Sequence, residues 1–180
     1  KAKHLATLYL EDMSDLIVQA IDPYFGFSRY AEKLALAATS FDDINAHLLD
    51  KENLIDSYLL DELSKSIRYY KPESIAISVP FPGNLYGALK CGQWIKANYP
   101  NIPIIMGGGY PNTELRSISD ARVFNFVDFI CLDDGEAPLS ILLQHLDDKR
   151  NVKSLKRTFA LINNKVVYCN GAPEPDFTHR

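Results

Sequence analysis

The sequence predicts an α/β fold: a doubly wound, mostly parallel sheet flanked by helices and extended at its C-terminal end by a β-hairpin. Two apolar runs, Ser74-Ile75-Ala76-Ile77-Ser78-Val79 and Ile102-Pro103-Ile104-Ile105-Met106, are separated by a helix-like stretch over 85–99, the spacing of a βαβ unit. A third run, Val127-Asp128-Phe129-Ile130-Cys131-Leu132, is continuous rather than alternating, as a strand covered on both faces should be. The second run ends in Gly107-Gly108-Gly109, where the missing side chains permit close passage of the backbone and positive φ. Ligands of such sheets bind outside the carboxyl ends of the strands, which makes these loops the expected site.

Taken in order, residues 4–10, with Leu5, Leu8 and Leu10, read as a first strand closed by Glu11 and Asp12. Asp22-Pro23-Tyr24-Phe25-Gly26-Phe27-Ser28 breaks regular structure, and Ser28 can cap a helix over 29–38. This aromatic loop is expected over the end of the sheet. Residues 42–49 read as a short second strand. Leu54, Ile55, Tyr58, Leu59, Leu63 and Ile67 recur at helical spacing and stop before Lys71-Pro72. On the helix over 86–99, Gly87, Ala88 and Gly92 are small enough to let it lie close to the sheet. An irregular passage through Arg122 follows the second apolar run. Residues 137–148 form a helix with Leu139, Leu142, Leu143 and Leu146 inward. Residues 157–162 and 165–168 flank Asn163-Asn164, a two-residue hairpin turn.

Composition bounds the function. With 180 residues, 47% of them apolar, the chain can bury one sizeable core. The expected organisation is a βα domain over 1–150 and a hairpin with a connector over 151–180. A net charge of −4 without a basic block argues against nucleic acid as a partner. No apolar run approaches the roughly 18–20 residues of a membrane span, and residues 1–4 lack a secretory h-region, so a cytoplasmic protein is expected. A start at Lys1 rather than Met, and the proline-spaced end over 172–177, lead to the expectation of a piece cut from a longer chain. Cys91, Cys131 and Cys169 are too far apart for a metal or cluster motif and read as reduced, buried thiols. His4, His47, His145 and His179 are scattered, and no metal site is expected.

Three loops are expected on one rim: 78–83, 107–111 and 133–136. Ser78 and the amides of Gly107, Gly108 and Gly109 suit hydrogen bonds to amide or phosphate groups, while Tyr24, Phe25, Phe81 and Tyr110 offer apolar faces to a large planar group. A tight structural turn with no ligand is the less favoured reading of the glycines. The glycines do not fit the dinucleotide fingerprint, no phosphate-binding loop occurs, and no nucleophile elbow is present, so no catalytic residue is assigned. Asp133 and Asp134, with Glu11 and Asp12, leave a receiver-like magnesium site as a rival.

Ser78, then Ile104-Ile105-Met106-Gly107-Gly108-Gly109, then Val127 through Asp133-Asp134-Gly135-Glu136-Ala137, resemble the cobalamin-binding domain at the amino end of many radical S-adenosylmethionine enzymes. The resemblance covers about residues 5–146. It implies a Rossmann-like fold seating a corrin at the carboxyl rim. It also implies contacts from Ser78, Gly107, Gly108 and Gly109, flanking by Tyr24, Phe25, Phe81 and Tyr110, and Gly135 and Glu136 facing the barrel of the parent chain. The Asp-x-His-x-x-Gly motif of other cobalamin domains is missing, so no histidine would reach cobalt through it. The Cys-x3-Cys-x2-Cys of the barrel is also missing. The [4Fe–4S] cluster and S-adenosylmethionine would therefore belong to the parent domain, and this chain alone would not run radical chemistry. A cofactor-free domain that docks on the barrel is the alternative.

Overall fold

The computed structural model describes residues 1–27, 32 and 41–174. These divide into two compact units, one of residues 1–71 and 81–91, the other of residues 72–80 and 92 onward. Apart from Glu32, which is helical, the expected helix over 29–38 and the connector residues Pro175, Asp176 and Phe177 lie outside the described residues.

The first unit is helical. Helix α1, Ala2–Ala20, replaces the expected first strand. The run Leu5, Leu8, Leu10 looked strand-like only because the window was short. Over the whole segment Ala2, Leu5, Ala6, Tyr9, Met13, Leu16, Ile17 and Ala20 form one stripe at helical spacing, and no proline or glycine interrupts before Pro23. None of its residues is buried, and Leu5, Tyr9 and Leu16 are among the exposed apolar residues. Glu11 and Asp12 thus sit on a helix and close no strand. The aromatic loop likewise follows a helix.

Helix α2, Asp42–Leu49, overturns the second expected strand. Asp42 and Asp43 favour its N-terminal end through the helix dipole, and Ile44 and Leu48 are buried one turn apart. Helix α3, Leu54–Tyr70, matches the sequence reading. Asn53 accepts from the amides of Ile55 and Asp56 at 2.8 and 2.9 Å, while Asp56 Oδ2 accepts from the Asn53 amide at 3.4 Å, a reciprocal cap. The helix ends where Lys71 turns left-handed at φ 49° before Pro72.

The second unit carries one five-stranded sheet in the order of the chain: β1 Ile75–Ser78, β2 Ile104–Gly107, β3 Phe129–Cys131, β4 Thr158–Ile162 and β5 Lys165–Cys169. The first three are parallel, and the hairpin β4–β5 joins the same sheet antiparallel to β3. Helices flank this open α/β sheet, compatible with a Rossmann-like fold. Helix α4, Leu85–Asn98, leads to β2, and α6, Glu136–Leu146, follows β3. Ile105 packs with Cys131, Ile141, Leu142, Leu155 and Cys169. Ile104 and Met106, on the opposite face by strand alternation, are fully buried. Both faces of β2 are therefore covered, which explains its unbroken apolar run.

Three details differ from expectation. Leu143 of α6 is exposed, not inward. The irregular passage contains the short helix α5, Gly109–Glu114, and a 3-10 turn, Ala121–Asn125. Gly92 is needed for a loop rather than for the sheet: a Cβ there would lie 2.2 Å from the Phe126 carbonyl oxygen. The hairpin turn matches expectation, with Asn163 at φ 50° and Asn164 at φ 58°, the left-handed pair of a type I′ turn.

Candidate functional site

The carboxyl rim of the sheet gathers the sequence-predicted residues of the second unit. Ser78 ends β1, exposed, in register with Gly107 at the end of β2. The Val79 amide donates to the Gly107 carbonyl at 2.7 Å, and the Tyr110 amide donates to the Val79 carbonyl at 2.9 Å. Two chain crossings thus sew the loop after β1 to the loop after β2.

That stitching explains the glycines. Gly108 holds φ 107°, a conformation L side chains rarely adopt, and a Cβ on it would lie 2.8 Å from the Val79 carbonyl oxygen. A Cβ on Gly109 would lie 2.8 Å from the carbonyl oxygen of Pro80. The space beside both glycines is occupied by the chain's own backbone. Gly107 has only ordinary contact at 3.7 Å, and Gly135 has nothing within 4 Å.

Tyr110 is buried, so it forms wall rather than an open face. Burial, and then the charge of Glu114, push its phenol above the usual value. Gly135 leads into α6, accepting from the Leu139 amide at 2.9 Å, and Glu136 is exposed in the first turn. Tyr24, Phe25 and Phe81 belong to the first unit. There the Tyr24 ring meets His47 edge-on at 4.9 Å, Phe25 meets Phe27 at 5.0 Å, and Phe81 is largely exposed.

The loop after β3 is held by residues that sequence reasoning missed. Asn112 of α5 and the backbone of Asp133 form a reciprocal pair: the side-chain amide donates to the Asp133 carbonyl at 3.2 Å, and the Asp133 amide donates to Asn112 Oδ1. The Asp133 carboxylate pairs with Arg116 and faces Arg157 Nε at 3.2 Å. Arg116 also donates to the Asn112 carbonyl at 2.6 Å. Asp133 is left-handed at φ 60°, a conformation aspartate tolerates better than most residues. Asp133, one of the two carboxylates read as a receiver-like magnesium site, is thus engaged by two guanidiniums. Glu11 and Asp12, its expected acidic neighbours, lie in the first unit. Among the described residues no group of three or more His, Cys, Asp or Glu is placed to hold a metal.

Cys131 and Cys169 flank Thr158 across the sheet, so strand spacing puts them about 10 Å apart, beyond disulfide reach. Cys91 is half-buried. Burial pushes the thiols of Cys91 and Cys131 up to about 11.

A second polar centre, also unforeseen, lies inside the first unit. Asp56 is buried and accepts the Tyr86 hydroxyl on both oxygens at 3.1 Å, with Lys90 Nζ, itself buried, at 3.8 Å. Asn53 donates to Asp22 at 2.6 Å, and Asp22 caps the turn at Tyr24 by accepting its amide at 2.8 Å. The Asn53-x-x-Asp56 spacing is the one sequence signal that could have pointed here.

No helix among the described residues is long and apolar enough to cross a membrane. Compared with protein-family models, curated proteins and solved structures, the chain has no match.

Proposed function

We propose that this chain is a cytoplasmic, cobalamin-binding-like module of a radical S-adenosylmethionine enzyme, with the corrin seated at the carboxyl rim of the second unit. The observation that supports this reading is the convergence of Ser78, Gly107 and Gly135 with Glu136 at one end of three parallel strands. Of these, Gly135 offers open space, Gly107 is unobstructed beyond ordinary contact, and Ser78 and Glu136 are exposed. They would hold the amide side chains of the corrin by hydrogen bonds. Gly108, Gly109 and Tyr110 would act one layer back, fixing the loop on which Gly107 sits. The cofactor would supply a cobalt centre for methyl transfer or rearrangement to a barrel in the parent chain.

One observation favours a second reading, a cofactor-free domain that docks on that barrel. Gly108 and Gly109 are fully accounted for by the backbone of Val79 and Pro80, with no ligand required.

Titration with hydroxocobalamin, followed by visible absorbance and co-elution on gel filtration, separates the two. Saturable co-elution with a spectrum free of nitrogenous lower ligation is expected, as is its loss in Gly135→Trp with an unchanged melting temperature. Absence of co-elution at millimolar cobalamin would favour the docking domain.

A further inference from the structure

The opposite end of the same sheet holds a cleft that the reading above does not use. It is open to solvent and measures about 680 Å³, within the range of small-molecule sites. Its walls come from the chain just before β2 (Ile102, Pro103), the start of β3 (Asp128, Phe129), the end of α6 (His145, Leu146), Val152, and the end of β4 (Ile162). Since β4 runs antiparallel to β3, all of these lie at the amino ends of the parallel strands.

The cleft is an opening in the core. Phe129, Leu146, Val152 and Ile162 pack against the buried cluster of Ile105, Cys131, Ile141 and Leu142, yet each remains partly exposed. Apolar side chains of a core are therefore left facing a void large enough for one or two rings.

Asn101, before β2, and Asn163, in the hairpin turn, also line the cleft, and two further polar groups bear on what such rings must carry. Asp128 is spent: Oδ1 pairs with Lys96, and Oδ2 accepts from the Ile104 amide at 2.8 Å. It demands no ligand charge. His145 Nδ1 lies 2.7 Å from the Arg150 carbonyl oxygen, which can only accept, so Nδ1 carries a proton and the tautomer this selects leaves Nε2 as the acceptor. The imidazole is held edge-on to Phe129 at 5.9 Å, which fixes its plane against an aromatic wall.

We propose that this amino-rim cleft is a binding site for a small, uncharged aromatic molecule bearing one hydroxyl or N–H group, which donates to His145 Nε2 while its ring packs on Phe129, Leu146, Val152 and Ile162. Carboxylates and phosphates are disfavoured, because the lysine beside the cleft, Lys96, is already paired with Asp128.

The test is a titration of the ¹⁵N-labelled chain with phenol and with anisole, its methyl ether, which has the same ring and no donor. Phenol is expected to shift the amides of Ile102, 128–129, 145–146 and 161–163, and to bind several-fold more tightly than anisole. In Val152→Trp, which fills the cleft, the shifts should vanish. In His145→Phe, which keeps the ring wall and removes the acceptor, phenol and anisole should bind alike. Shifts elsewhere, equal affinities for both probes in the unmodified chain, or an unchanged phenol advantage in His145→Phe would each overturn the proposal. Because these probes do not address the carboxyl rim, either site can fail without the other.

Discussion

The two ends of the one sheet are built in opposite ways. At the carboxyl rim the backbone fills its own space and polar groups pair with one another: Val79 with Gly107 and Tyr110, Asn112 with Asp133, and Asp133 with Arg116 and Arg157. At the amino rim apolar side chains and a few polar ones line an open cleft, and the ion pair of Lys96 with Asp128 lies at its margin. The carboxyl rim is thus a stitched platform on which Ser78 and Glu136 are exposed and Gly107 and Gly135 are unobstructed. The stitched end and the open end follow from the loops. Those after the parallel strands are short and stitched, whereas the hairpin turn and the end of α6 leave a gap beneath β3.

Substitutions should expose this contrast by size. Gly92→Ala forces a Cβ into the Phe126 carbonyl just before β3, and should cost about 3 kcal/mol in urea denaturation, because backbone rather than a yielding side chain stands in the way. Gly108→Ala, at the stitched rim, should cost about 2 kcal/mol from positive φ and the Val79 contact, while Gly135→Ala, on the same rim but in open space, should stay within about 0.5 kcal/mol. Equal losses at Gly108 and Gly135 would remove the distinction between platform and free surface. Asp133→Ala should cost about 1 kcal/mol, tempered by solvent at Arg116, and should speed amide exchange over 133–136.

The smallest effect is chemical. The Cys131 thiol, raised to about 11 by burial beneath the platform, should resist a thiol reagent at pH 8 until the chain unfolds. The sign of its linkage follows. The native state favours the protonated thiol, so this contribution is fully present below the ordinary thiol pKa near 8.5 and is lost as pH rises toward 11. Cys131→Ser should lessen the slope of the stability profile between those values, leaving the part that Cys91 contributes. Rapid labelling of Cys131 in the folded chain would count against a closed platform.

Much of the second unit was legible because its signals are local. The apolar runs of β1, β2 and β3, the helices α4 and α6, and the Asn163-Asn164 turn each state their structure within a few residues, as does α3 in the first unit. The first unit was misread where a short window hid a longer period: Leu5 and Leu8 are three apart, which is helical once Ala2, Tyr9 and Met13 are counted. At the site, the glycines drew attention correctly to the rim, but their cause, the backbone of Val79 and Pro80, lies about 30 residues upstream and leaves no local mark. Arg116 and Arg157 were invisible for the same reason. Their role depends on which loops meet, and spacing alone does not tell.

The order of the sheet, β1 to β5 exactly as the chain runs, bears on how it assembles. Each strand pairs only with its predecessor and successor, so no pairing must wait for a distant segment, and the sheet can grow by accretion. The hairpin β4–β5 closes the shortest loop and is expected to form first, with β3, β2 and β1 adding in turn, each after closing a longer loop of similar entropic cost. Pulsed hydrogen exchange during refolding should then protect Thr158–Ile162 and Lys165–Cys169 before Ile75–Ser78, and simultaneous protection of all five strands would rule this sequence of events out.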